Sequence, residues 1–175
     1  DYSQFSFDAI AKRLEAAYTA DEIRHPGDWL STAVLAYGEE AGIDLEKIQW
    51  WVEKTPLNEK FAEQIFKWWP DARCIHIMRD PCDNYTSYRR KQSDWSPGFF
   101  SVNWFRSTAA GFANQKRFGE GRYLILRYED LVGAQEEALA EIFQFLGISD
   151  DPMLRIPSRA GKQWSGNSMF GDQFE

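Results

Sequence analysis

The sequence predicts an α/β domain built on a central parallel sheet. Three observations carry this. Arg73-Cys74-Ile75-His76-Ile77-Met78 is a short, near-continuous apolar run with β-branched residues, the pattern of a buried parallel strand. Two further apolar runs, Ile48 to Val52 and Tyr123 to Leu126, read as strands of similar length. Segments of helical periodicity lie between them, and strands alternating with helices imply βα units.

The elements follow in order. The chain has 175 residues, 43% hydrophobic and 16% aromatic, which is a folding composition. No repeat, low-complexity tract or linker divides it, so a single domain over residues 1–175 is expected. From Ser6 to Tyr18, the residues Phe7, Ile10, Ala11, Leu14, Ala17 and Tyr18 mark one helix face. His25-Pro26-Gly27-Asp28 is a turn. Asp28 is placed to cap a second helix with Trp29, Leu30, Ala33, Val34, Tyr37 and Ala41 inward, stopped at Gly42. After the Ile48–Val52 run, Thr55 suits an N-cap and Pro56 the first position of a helix. Phe61, Ile65, Trp68 and Trp69 then face the core, and Pro70 ends that helix. Asp80-Pro81 starts another, with Asp83 three residues after the cap. The polar turn Ser93 to Gly98 leads into a long helix with Phe100, Trp104, Phe105, Thr108, Phe112 and Ala113 inward. Leu139, Ile142, Phe143 and Leu146 form the last helix, ended by Gly147; the tail from Asp150 is polar and loop-like.

A net charge of −7 argues against sequence-independent nucleic-acid binding, which needs a basic face. A few local cations can still hold a small anion. Cys74 and Cys82 make neither a disulfide framework nor a zinc motif, and they read as buried thiols in a reduced, cytoplasmic setting. No apolar run is long enough for a transmembrane helix, and no signal peptide opens the chain. It starts at Asp1 rather than Met, which leaves room for an upstream segment.

The strongest chemical signal is a strand followed by Arg79-Asp80-Pro81 and a helix. An Arg at the C-terminal end of a parallel strand lies on the edge where α/β sheets bind ligands. The helix behind it offers unpaired N–H groups to an anion, Arg79 can grip phosphate bidentately, and Ser87 lies two turns along. Structural pairing of Arg79 with Asp80, Asp83 or Glu129 is the alternative. Glu53-Lys54-Thr55-Pro56 reads as a second strand-to-helix junction, placing Lys54 on the same edge. Two cations there suit a multiply charged anion and a leaving phosphate; pairing of Lys54 with Glu53 or Glu59 is the plainer alternative. Glu129 is read as structural, orienting Arg79 or a backbone turn. Arg159, Lys162, Trp164 and Asn167 lie in a tail too polar for core, where they can clamp a nucleotide. His76 reads as a hydrogen-bonded core histidine and His25 as an exposed turn residue.

Taken together these pieces are more specific. Glu53-Lys54-Thr55-Pro56-Leu57-Asn58, Phe66 to Ile77, Met78-Arg79-Asp80-Pro81-Cys82-Asp83, Arg127 to Val132 ("RYEDLV") and Phe145 to Ile148 ("FLGI") occur in an order that resembles the sulfotransferase family. Trp164 to Ser168 is similar to its bacterial, carbohydrate or tyrosyl-protein branch. The resemblance covers roughly Trp50 to Phe170. It implies a P-loop-NTPase-like three-layer fold and the co-substrate 3′-phosphoadenosine 5′-phosphosulfate, without a metal. It places Arg79 and Ser87 on the donor's 3′-phosphate and Lys54 near the reacting centre. By looser analogy, Arg159, Gly161, Lys162 and Trp164 cover the nucleotide. Residues 1–47 then form a helical acceptor-side region, 48–149 the α/β core and 150–175 the nucleotide-covering loop. The acceptor is expected to be a small molecule or carbohydrate bearing a hydroxyl or amine. No Gly-x-x-Gly-Thr loop for the 5′-phosphosulfate precedes Glu53, and no general base is assignable. An N-terminally incomplete enzyme with little turnover is therefore expected. The alternatives are a non-catalytic bisphosphonucleotide-binding remnant or another P-loop-type phosphotransferase.

Overall fold

The computed structural model describes residues 6–91 and 94–156, together with the backbone of 158–159 and 162–163. Helices α1 (Phe7–Thr19) and α2 (Pro26–Glu40) pack together ahead of the sheet region in the chain. Ser6 caps α1 through its hydroxyl, which accepts from the Ala9 N–H at 3.2 Å. The α2 cap corrects the expected one. His25 is the N-cap, and Asp28 reaches back from the third helical position to accept from the His25 N–H at 2.9 Å.

A 3₁₀ turn (Asn58–Phe61) runs into α3 (Ala62–Trp68), and β1 (Cys74–Met78) follows. Next come α4 (Pro81–Lys91), α5 (Pro97–Phe118), β2 (Tyr123–Arg127), α6 (Tyr128–Gly133) and α7 (Gln135–Leu146). β1 and β2 pair in parallel, from Cys74 opposite Tyr123 to Met78 opposite Arg127. The mixed α/β class therefore holds, with a small parallel sheet. Two expectations do not. Ile48 to Val52 is not a strand: Trp50 lies against the Arg73 guanidinium at 5.5 Å and Trp51 packs edge-on to Trp69 at 5.6 Å. Its bulky residues serve aromatic contacts rather than a ladder. The tail is not all loop, since β3 (Ser158–Arg159) and β4 (Lys162–Gln163) pair antiparallel.

Ala62, Phe66 and Tyr123 form the core cluster, with Ala72, Cys74, Phe118 and Ile125 packed against it. Phe66 meets Phe118 at 4.5 Å and lies under the Arg122 guanidinium at 4.2 Å. Phe61, expected inward, is exposed. On α5 the inward stripe runs through Phe100, Trp104, Ser107, Gly111, Asn114 and Phe118, leaving Phe105 and Phe112 in solvent. The phase is set by Gly111, where a Cβ would come within 2.9 Å of the His76 ring. α2 repeats the theme: Gly27, Ala36 and Gly38 are buried while Trp29, Leu30 and Tyr37 are about two-fifths exposed. Small residues mark these contact faces alongside the large ones. β1 is also not buried on both sides. Ile75 and Ile77 are exposed, whereas Leu124 and Leu126 beside them are buried. No helix among the described residues is long and apolar enough to cross a membrane.

Candidate functional site

The β1–β2 register decides what stands on the C-terminal sheet edge. With Met78 opposite Arg127, the next residues, Arg79 and Tyr128, leave the sheet side by side. The Arg79 guanidinium carbon lies 4.5 Å from the Tyr128 ring centre, a cation–π stack. The Arg79 carbonyl accepts from the Trp104 indole N–H at 3.0 Å. Its Nε is buried without a hydrogen-bond partner, and no ion pair reaches Arg79 among the described residues. Structural pairing with Asp80, Asp83 or Glu129 is thus not what occupies this side chain.

Two carboxylates hold the backbone around it. Asp80 Oδ1 accepts from the N–H groups of Cys82 at 2.8 Å and Asp83 at 3.2 Å, capping α4. Glu129 Oε1, arriving from the β2–α6 junction, accepts from the Asp80 N–H at 2.8 Å. That bond holds the Glu129 carboxyl below its ordinary pKa. Glu129 therefore fixes a backbone turn, the second of the structural roles expected for it. The capping corrects one expectation. Pro81 has no N–H, and those of Cys82 and Asp83 are taken by Asp80, so α4 does not present them to an anion. What the junction offers is Arg79 itself. Ser87 stands half-buried on α4, seven residues past the cap. A surface depression of about 350 Å³ lies elsewhere on α4, lined by Tyr85, Thr86, Arg89 and Arg90.

The Lys54 junction is built differently. Without a strand at Ile48–Val52, no ladder sets Lys54 on the Arg79 edge. Thr55 does not cap a helix either. Its hydroxyl donates to Glu53 Oε1, and the Asn58 side-chain amide donates to Glu53 Oε2 at 2.6 Å. The Asn58 N–H meets the Thr55 carbonyl at 3.4 Å, closing a turn over Pro56 and Leu57. Leu57 has φ +76°, the left-handed conformation a type II turn demands at that place and one that Gly ordinarily fills. Lys54 projects from this knot, exposed and in no ion pair among the described residues.

The remaining candidates scatter. Arg159 and Lys162 are register partners in the β3–β4 hairpin, while Gly161, Trp164 and Asn167 lie outside the described residues. His76 is mid-strand, its Nδ1 2.9 Å from the Tyr123 hydroxyl; His25 stacks on Trp68 of α3. Cys74 is half-buried, with burial pushing its thiol up to about 11, but Cys82 is exposed, contrary to expectation. Tyr128 and Trp104 were not expected at the site. The signal for Tyr128 was available, since it follows β2 as Arg79 follows β1.

A sequence profile described as the sulfotransferase family matches residues 6–152. The match takes in α1 and α2, upstream of the motifs that carry the resemblance, and stops short of the hairpin. No curated protein and no solved structure matches the chain.

Proposed function

The chain belongs to the sulfotransferase family, and on that premise we propose that it transfers a sulfuryl group from 3′-phosphoadenosine 5′-phosphosulfate to a hydroxyl or amine acceptor, a small molecule or carbohydrate. The supporting observation is Arg79: a cation on the C-terminal sheet edge, stacked on Tyr128, with a buried Nε that has no partner. An unpaired buried donor is costly unless something accepts from it, and a phosphate oxygen is the acceptor this fork matches. Arg79 and Ser87 hold the 3′-phosphate. Lys54, exposed and free of carboxylates, supplies charge to the 5′-phosphosulfate. In the reaction the acceptor atom bonds to sulfur and releases its proton to solvent as the bond from sulfur to the 5′-phosphate oxygen breaks. The electron pair stays on the leaving bisphosphate, where cations stabilise it. The tail hairpin carrying Arg159 and Lys162, with Gly161 and Trp164, covers the nucleotide.

Calorimetric titration with 3′-phosphoadenosine 5′-phosphate tests this, with 5′-AMP as control. Binding that requires the 3′-phosphate and weakens roughly tenfold or more in Arg79→Ala is expected, the worth of a hydrogen-bonded charge pair. Equal binding of both nucleotides, or an unchanged affinity in the variant, would overturn the assignment.

A further inference from the structure

The C-terminal half of α4 carries a feature that the proposed reaction leaves unused. Arg89 and Arg90 border the surface depression of about 350 Å³, and Tyr85 and Thr86 complete its lining. Both arginines are exposed, and neither is in an ion pair among the described residues. The one carboxylate of α4, Asp83, stands six residues before Arg89. Cations in the last turn of a helix suit its dipole, but the dipole does not account for the rest of the lining. The Thr86 hydroxyl donates to the Cys82 carbonyl at 2.9 Å, and the Tyr85 hydroxyl donates to the Trp95 carbonyl at 3.3 Å. With their protons engaged, both oxygens have only lone pairs left to offer, whereas guanidinium groups only donate. The depression therefore matches a ligand that brings an anionic oxygen to the arginines and hydroxyl donors to Tyr85 and Thr86. A saccharide bearing a carboxylate or a sulfate ester has both. A neutral sugar or a bare sulfate ion has one of the two.

The lining is held firmly. Tyr85 packs on buried Phe100 at 5.2 Å, and Tyr88 stacks on Trp95 at 5.0 Å, which ties this end of α4 to α5 and to the turn between them. At 1.5 Å per residue, Arg89 and Arg90 lie roughly 12–14 Å beyond the start of α4, which sets them apart from Arg79 at its other end.

We infer that this depression is an anchoring subsite for an acceptor saccharide that carries a carboxylate or a sulfate ester. Arg89 and Arg90 hold the anionic group, and Tyr85 and Thr86 accept from neighbouring sugar hydroxyls. Its use by an acceptor rests on the sulfuryl-transfer reading given above; the binding itself does not. No bond is made or broken at the subsite, and the transfer takes place at a hydroxyl or amine elsewhere on the acceptor.

Calorimetric titration of the full chain without nucleotide tests this. The probes are a disaccharide carrying glucuronic acid, one carrying a sulfate ester and a neutral one, all at the same ionic strength. The charged probes are expected to bind about tenfold or more tightly than the neutral one, and added salt should weaken them. The double variant Arg89→Gln with Arg90→Gln should lose that advantage, while Arg79→Ala keeps it. Thr86→Val, which leaves the charges in place, should weaken the charged probes a few-fold. The tighter of the two charged probes names the anionic group. No binding of either charged probe, equal binding of the neutral one, or an unchanged affinity in the double variant overturns the inference. Titration of the double variant with 3′-phosphoadenosine 5′-phosphate separates this reading from the donor assignment. An unchanged affinity is expected; a loss like that of Arg79→Ala would make the arginine pair part of the donor site and overturn the inference alone. Failure of the wild type to bind the nucleotide would overturn the donor assignment alone.

Discussion

Arg79-Asp80-Pro81 and Lys54-Thr55-Pro56 share one formula, a cation, a capping residue and a proline, yet they fold differently. Asp80 caps its own helix, and Glu129 from the neighbouring strand end fixes the Asp80 backbone. Thr55 has Glu53 two residues upstream, and that carboxylate takes the hydroxyl that would have capped a helix. Pro56 then enters a turn rather than a first helical position, and the helix starts later. The lesson is that a capping residue is only as good as the absence of a competing local acceptor. One cation stands where a ladder puts it; the other stands on a turn held by the Glu53 carboxylate and one long backbone bond.

The comparison is broken most directly at the cations. Arg79→Lys should lose most 3′-phosphate-dependent affinity, roughly tenfold or more, because Lys has neither the fork nor the planar stack on Tyr128. Lys54→Arg should keep that affinity in the same titration. Comparable losses in both variants would mean that both cations serve one phosphate. Next in size, Trp104→Phe removes the donor to the Arg79 carbonyl, and denaturant unfolding should show a loss of about 1 kcal/mol. Glu129 gives a pH signature. Its carboxyl is lowered in the folded chain, so its stabilising contribution is fully present above its unfolded pKa and is lost as pH falls through the lowered value. Acid unfolding of Glu129→Gln should therefore lack that part of the dependence; an identical acid limb would show that Asp80 holds its turn unaided. The smallest effect belongs to the Lys54 knot. Leu57→Gly relieves a left-handed residue but adds chain entropy, and the two should nearly cancel, to within about 0.5 kcal/mol.

Much of this was legible in the sequence. The runs at Arg73–Met78 and Tyr123–Leu126, the helix start at Asp80, the stop at Gly147 and the long helix after the Ser93–Gly98 turn were all readable from period and punctuation. So was Arg79 at a sheet edge. The faces of α2 and α5 were readable only in part: Phe100 and Trp104 do turn inward, but Gly111, Gly27 and Gly38 are buried by having no side chain, and a reader of hydrophobic period looks for bulk. Ile48–Val52 looked like a strand because five apolar-rich residues carry no mark distinguishing a ladder from an aromatic contact. The Thr55 competition was also hidden, since choosing between a cap and a backward hydrogen bond needs coordinates. Tyr128 was quoted in a motif without a task, because only the pairing of Met78 with Arg127 brings it beside Arg79.

That pairing has a consequence for how the domain breathes. Among the described residues each strand has the other on one flank, but β2 packs against α5 and buries Leu124 and Leu126, whereas β1 shows Ile75 and Ile77 to water. Amide protons of β2 should accordingly exchange with solvent only in the deepest openings. Those of β1 that point away from β2 should exchange in shallow ones. The strand that presents Arg79 is therefore the looser of the two, and the grip of Glu129 on Asp80 is what ties its far end to the slower-opening half of the molecule.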